Sequence, residues 1–271
     1  MTYNLSIFRF QFSPPSARHY NSALSIWLSV DPMADKYPST SPYTYCANNP
    51  VKLVDPNGED PIYGRVGETI SKIGDDGKND GNSYLVLGLI ASQVRAATAN
   101  NNSPYTGDLS PSDHVLLIPT GGVLNDVERT VDYVHQSGNT VDERVEYGGH
   151  SIAGENYAHI WDKGDPVKIE ERGMYTKKTW SITPFKINGS FHKQLTPSAS
   201  NIIHIWHVQP ENAIPSDRDK KYLSDWRSTG YKGTPFVIGE QSRSVSFYNG
   251  ERDIITISYD VFLKMGRRED F

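Results

Sequence analysis

Downstream of Thr140 the chain is cut into short β-branched and aromatic segments separated by Gly, Pro or Asn, and this constrains the fold most. The segments are ERVEYGGHSI, AHIWDKG, PVKIEERG, KTWSITPFKI, IIHIWHVQP, TPFVIGE, SVSFYNG and IITISYDVFL. Runs of this length and composition read as strands. One polar, periodic piece, DRDKKYLSDWRS, interrupts them between IIHIWHVQP and TPFVIGE and reads as a helix. Upstream, Asn125 is placed to cap a helix over 126–136 that Gly138 ends. A helix, a run of strands, a second helix and closing strands describe an α+β domain.

The preceding segment is sparser. Residues 62–88 read as two strands around a Gly- and Asp-rich turn, VLLIP as a short buried strand, and residues 99–113 as an exposed polar loop. Asp75, Asp76, Asp80 and Gly81 invite comparison with a calcium loop. Lys78 occupies a ligand position, and Leu87 stands where the bidentate Glu belongs, so a solvated turn is expected instead.

Residues 27–58, WLSVDPMADKYPSTSPYTYCANNPVKLVDPNG, are dense in turn formers: Asp31-Pro32, Asn49-Pro50 and Asp55-Pro56-Asn57-Gly58. Trp27, Tyr37, Tyr43 and Tyr45 lie on the short runs between them, where sheet packing alone would account for each. With Ala17–Asn21 and Leu24-Ser25 ahead of it, the stretch resembles the end of an RHS-repeat core, whose closing signature reads here as Pro50, Asp55, Pro56 and Gly58. That resemblance implies a variable C-terminal payload, often a toxin, after the signature. Too few residues precede Trp27 for a shell of stacked repeats. The chain therefore reads as the tail of a larger RHS product, with 1–59 a core remnant, 60–111 a connecting region and 112–271 the payload. Glu59 departs from the family's pattern at its cleavage site, and self-cleavage is not expected.

Composition excludes several classes. No apolar run is long enough for a membrane helix, the N-terminus has no signal-peptide pattern, and the single cysteine, Cys46, precludes an internal disulfide or a thiolate cluster. Residues 1–59 carry four basic and four acidic side chains, so the net charge of -5 sits on 60–271. Phosphate-binding domains carry a clustered basic excess, so a nuclease payload ranks third among the functional readings.

The candidate site lies where IIHIWHVQP meets the second helix. His207-Val208-Gln209-Pro210, followed by Pro215-Ser216-Asp217-Arg218-Asp219, looks like the JAB/JAMM metallopeptidase motif. Residues at i and i+2 of a strand share a face, so His207 and Gln209 project together, and a tight loop returns Asp219 to them. The resemblance implies zinc held by positions 207, 209 and 219, with Glu146 as general base and Ser216 stabilising an oxyanion. Gln209 replaces the family's second His, and an amide is a poor zinc ligand beside imidazole. His150 or His204 supplies an alternative ligand, although His204 is an odd number of residues from His207 and should face the other way. Helix capping by Ser216 and Asp219 would explain both of those residues without chemistry.

The reading is an α+β, JAB-like polymorphic-toxin payload behind an RHS remnant. The resemblance implies a zinc-dependent peptidase or isopeptidase, or an inactive binding module keeping that fold. A protein substrate and a cognate immunity protein are the expected partners, without nucleic acid or a membrane span. The expected location is the bacterial cytoplasm before delivery within a larger exported RHS protein.

Overall fold

The segment IIHIWHVQ is the spine of the fold because its side chains alternate between two packed environments. The computed structural model describes residues 60–271 except 79, 102, 173, 174, 188, 189, 192–198 and 270, and also residues 20, 21, 26–30, 41 and 43. Of the RHS-like stretch it therefore shows little. Strands β1 (Tyr20–Asn21) and β2 (Ile26–Trp27) form an antiparallel pair, and the closing signature lies outside the described residues.

A four-stranded sheet is built from β3 (Pro61–Val66), β4 (Thr69–Asp75), β5 (Tyr84–Val86) and β6 (Val115–Leu117), in the order β4-β3-β5-β6. Helix α1 (Gly88–Asn101) connects β5 to the loop before β6, and α2 (Gly121–Gln136) follows. The larger, six-stranded sheet runs β16-β15-β14-β13-β7-β8. Its strands are β7 (Tyr147–Ile152), β8 (Ala158–Ile160), β13 (Ile202–Gln209), β14 (Thr234–Gly239), β15 (Ser244–Tyr248) and β16 (Asp253–Ser258). An arm of β9 (Asp165–Arg172) and β10 (Tyr175–Ser181) projects between β8 and β13, with the short pair β11 (Lys186–Ile187) and β12 (Ser190–Phe191) after it. Helix α3 (Asp217–Ser228) joins β13 to its parallel neighbour β14, and α4 (Tyr259–Gly266) follows β16. The α+β class is as expected from the sequence.

Central β13 carries the core on both faces. Trp206 and Val208 pack with Val127, Val131 and Val134 of α2 and with Phe262 and Met265 of α4. Ile205, on the opposite face, packs with Trp161, Leu223 of α3 and Tyr248. The largest buried side chain, Trp206, lies over β7, where a Cβ at Gly149 would come within 2.9 Å of the indole. Glycine at this position is thus a matter of space. The indole Nε1–H donates to Thr130 Oγ1 at 3.0 Å, so the polar edge of this buried ring is satisfied.

Several elements differ from the sequence expectation. Helix α2 begins at Gly121 rather than after Asn125, with Thr120 at the N-cap, and Asn125 lies inside it. The early start packs Val123 and Leu124 into the core. YDVFL, read as the end of a strand, is α4; the Ser258 side chain accepts from the Val261 N–H and opens the helix. Helix α1 reaches into the segment read as a loop from residue 99. Among its described residues only Ala91 and Val94 are buried, with Ile90 packed partly beside them, so it has little apolar periodicity. Residues 62–88 hold three strands. The β3–β4 turn is at Gly67, with φ of 62°, and the Asp-rich segment links β4 to β5.

That Asp-rich segment wraps around Asp60 instead of standing in solvent. The Asp60 carboxylate accepts from the N–H groups of Asp80 at 2.8 Å and Gly81 at 3.1 Å, and from Arg268 Nη2 at 2.6 Å. Burial pushes this carboxyl upward and the guanidinium opposes it; with three N–H donors directed at its oxygens, we take it as ionised. Tyr63 hydroxyl also donates to Glu269 carbonyl at 2.7 Å, so both ends of the 60–271 segment are tied together. The sequence division at residue 111 runs through one sheet, since β5 pairs with β6.

Asp60→Ala leaves the Arg268 guanidinium buried without its carboxylate. It is expected to lower unfolding stability by about 3–5 kcal/mol, read from the urea midpoint. A change of only a few tenths of that size would show that water replaces the lost partner.

Candidate functional site

The α3 face of β13 opens into a cleft of 570 Å³ that contains Glu146, His207, Gln209, Ser216 and Asp219 together. Three local rules converge there. Alternation on β13 sends His207 and Gln209 to the side opposite Trp206. The loop 210–216 reverses the chain, held by Gln241 N–H on Pro210 carbonyl at 3.2 Å and Ser242 N–H on Glu211 carbonyl at 3.0 Å. Ser216 then caps α3, which sets Asp219 in its first turn and brings Asp219 Oδ2 to 3.7 Å from His207 Nε2. Glu146 arrives from the end of the α2–β7 loop, where its carbonyl accepts the Gly164 N–H at 2.8 Å.

Ser216 and Asp219 form a reciprocal capping box. Asp219 N–H donates to Ser216 Oγ at 3.2 Å, while Asp219 Oδ2 accepts from both Ser216 N–H and Ser216 Oγ–H at 2.7 Å. The capping role anticipated from sequence is therefore present, and it occupies the Ser216 hydroxyl that the motif would assign to an oxyanion.

Gln209 is tied to its own loop. The carbonyls of Asn212 and Ile214 face its amide, so the NH₂ group donates to them at 2.7 and 3.3 Å. The terminal atom facing His207 Nε2 at 3.3 Å is then the amide oxygen. An NH₂ bridging two carbonyls is a task that Gln performs and His does not, because neutral imidazole has one N–H.

The donor set does not fit catalytic zinc. Such sites use three strong protein ligands. Here there is one imidazole, one carboxylate oxygen already accepting two short hydrogen bonds, and one amide. Among the described residues no three His, Cys, Asp or Glu side chains come together in a metal-holding group. Neither alternative histidine completes one. His204 turns to the other face, with Nδ1 against Ser151 Oγ at 2.8 Å and Nε2 donating to Leu117 carbonyl at 3.2 Å. Burial holds its pKa down to about 3, so it is a neutral link between the two sheets. His150 is buried beside Trp161, whose Nε1–H donates to His150 Nδ1 at 3.0 Å, and it stacks on His159 at 5.0 Å.

Glu146 is the electrostatic outlier of the cleft. It is 4 % exposed. Burial lifts its carboxyl from 4.5 to about 7; His207 and Arg218 oppose the shift and Asp219 adds to it. Its loop is braced by residues that sequence reading passed over. The Glu240 carboxylate takes Arg144 on one oxygen and His135 Nδ1 on the other at 2.8 Å, and the Glu240 N–H donates to Gln209 carbonyl at 2.9 Å. One side chain thus joins the Glu146 loop to the end of β13. Nothing local marks Glu240 for this, since its partners are about a hundred residues away in sequence.

The cleft walls were also not singled out from sequence. Trp180 of the arm donates its Nε1–H to Arg144 carbonyl at 3.2 Å. Tyr222 and Trp226 of α3 stack at 6.0 Å, and Phe185 meets Trp226 edge-on at 5.0 Å. Tyr222 and Trp226 are one helical turn apart with Arg218 a turn before them, a spacing that signals a shared face.

Two outcomes follow from these contacts. The folded chain holds a proton on Glu146 that the unfolded chain releases more readily, so this contribution is complete below 4.5 and is lost as pH rises through about 7. Glu146→Gln stays neutral throughout. Relative to the parent, it should gain about 3 kcal/mol of stability between acid and alkaline conditions, measured by urea unfolding across the range. A difference independent of pH would contradict the shift. Gln209→Glu sets a carboxylate against the Asn212 and Ile214 carbonyls and should cost about 1–3 kcal/mol by the same measurement.

No known protein family, no curated protein and no solved structure matches this chain, so the reading of the cleft rests on its own geometry.

Proposed function

We propose that residues 60–271 are a toxin-payload domain on a JAB/JAMM-like scaffold, whose cleft recognises a polypeptide in place of holding catalytic zinc. The observation that carries this is the assembly of Glu146, His207, Gln209, Ser216 and Asp219 in one cleft, with the third ligand position occupied by an amide bound to its own loop. The layout follows the peptidase-like motif and lacks its metal-binding strength. Preformed aromatic walls favour binding, because ordered side chains lose little freedom when a ligand arrives. The payload assignment draws on the RHS-like segment ahead of the domain, and a cognate immunity protein is the partner such a payload requires. No described helix is long and apolar enough to cross a membrane.

Retained hydrolysis of an amide bond is the second reading, and Glu146 favours it. A carboxyl at about 7 is placed where a general acid or base is most effective near neutral pH.

Purified protein analysed for metal should carry far less than stoichiometric zinc, with or without prior chelation. A pool of blocked hexapeptides should alter its tryptophan emission without being cleaved, and Trp226→Leu should weaken that response. Stoichiometric zinc lost in His207→Ala, with peptide cleavage abolished by chelator, would restore the metallopeptidase. Cleavage that persists in chelator and vanishes in Glu146→Gln would establish the second reading.

A further inference from the structure

We propose that the floor of this cleft binds a primary ammonium group, carried by a lysine side chain or by a chain N-terminus. The inference rests on the reading of the cleft as a polypeptide site and names the chemistry that it selects.

The inner and outer parts of the cleft differ in charge. Inside are Glu146 and Asp219, and His207 is the only basic side chain among the buried and half-buried lining residues. Lysines and arginine are confined to the exposed rim. There Lys178 is spent on Asp142 at 2.7 Å, and Lys177 and Arg218 are matched by Glu211 and Asp217. The rim is therefore close to neutral and the floor is acidic.

Glu146 points to a missing donor. Its side chain is 4 % exposed and lines the cleft, where burial, His207, Asp219 and Arg218 act on its carboxyl without a hydrogen bond from the described residues. A buried carboxyl without a donor is costly, and the cost is recovered when a ligand supplies one. An ammonium brings three donors and a charge of the right sign. Its alkyl stem meets Trp161, Ile205 and Trp226 on the way in, and cations are attracted to indole faces. A carboxylate or phosphate would meet Glu146 and Asp219 head on, and an uncharged alkyl group would leave Glu146 without a partner.

Three probes separate the possibilities: Nα-acetyl-lysine amide, glycylglycine amide and the apolar isostere Nα-acetyl-norleucine amide. Binding is read by tryptophan emission and by amide shifts in NMR. At least one of the two amines should bind tenfold or more tightly than the norleucine probe. Glu146→Gln should remove that preference, whereas Glu251→Gln, a charge removed from a distant turn, should not. Tyr222→Ala, at an exposed wall position, tests the same preference without touching the floor and should weaken all three probes together. Preference for acetyl-lysine amide identifies a side chain as the source, and preference for glycylglycine amide a chain terminus. Equal binding of norleucine, or an amine preference that survives Glu146→Gln, overturns the inference while leaving polypeptide recognition intact. Failure of every probe and of the hexapeptide pool overturns both.

Discussion

The placement of Trp206 over the Gly149 backbone is the interaction on which the remaining structure depends. The indole fills the space between the six-stranded sheet and α2, stacks on Phe236 at 6.0 Å, and has its N–H satisfied by Thr130. A strand has only two faces, so committing Trp206 and Val208 to this core commits His207 and Gln209 to the other side. A one-residue slip of β13 would bury the imidazole and the amide among valines and expose the tryptophan. The hydrophobic core thus decides which side chains of β13 line the cleft.

The cleft uses ordinary stabilising devices at positions where a peptidase motif would use catalytic ones. Ser216 and Asp219 satisfy the first turn of α3, and Gln209 satisfies two loop carbonyls. Each has a structural reason to be there. Glu146 does not: it is buried with no hydrogen-bond donor among the described residues, and its ionisation works against folding at neutral pH. A residue that costs stability and lines a cavity is the strongest functional signal in the molecule. It carries more weight than any residue of the His-x-Gln motif itself.

Much of the layout was legible because its causes are local. Helix α3 was read over 217–228, its observed span, because Ser216 and Asp219 form a capping box in sequence as well as in space. The β-branched segments became strands for the same reason, and the odd spacing between His204 and His207 correctly set them on opposite faces. The elements misread were those whose formation depends on remote packing. Helix α1 has few apolar residues to announce it, α2 starts early because Val123 and Leu124 have a core to enter, and YDVFL turns helical where Phe262 meets Phe236 and Phe247. The Asp-rich segment resembles a solvated turn until Asp60 and Arg268, more than two hundred residues apart, meet inside it.

Sequence alone determined the α+β class, the strand periodicity, the acidic balance of residues 60–271 and the shared face of His207 and Gln209. All of these follow from short-range rules of side-chain alternation, capping and composition. Only the tertiary structure decided what those residues do to one another. Gln209 reads as a damaged ligand until its amide is seen between two carbonyls, and Ser216 reads as catalytic until its hydroxyl is seen in the cap. Glu146 reads as a general base by resemblance alone until it is seen 4 % exposed in the cleft that Trp161, Trp180 and Trp226 also line. Hydrogen-bond partners and burial depend on segments far apart in the chain, and no local pattern encodes how those segments meet.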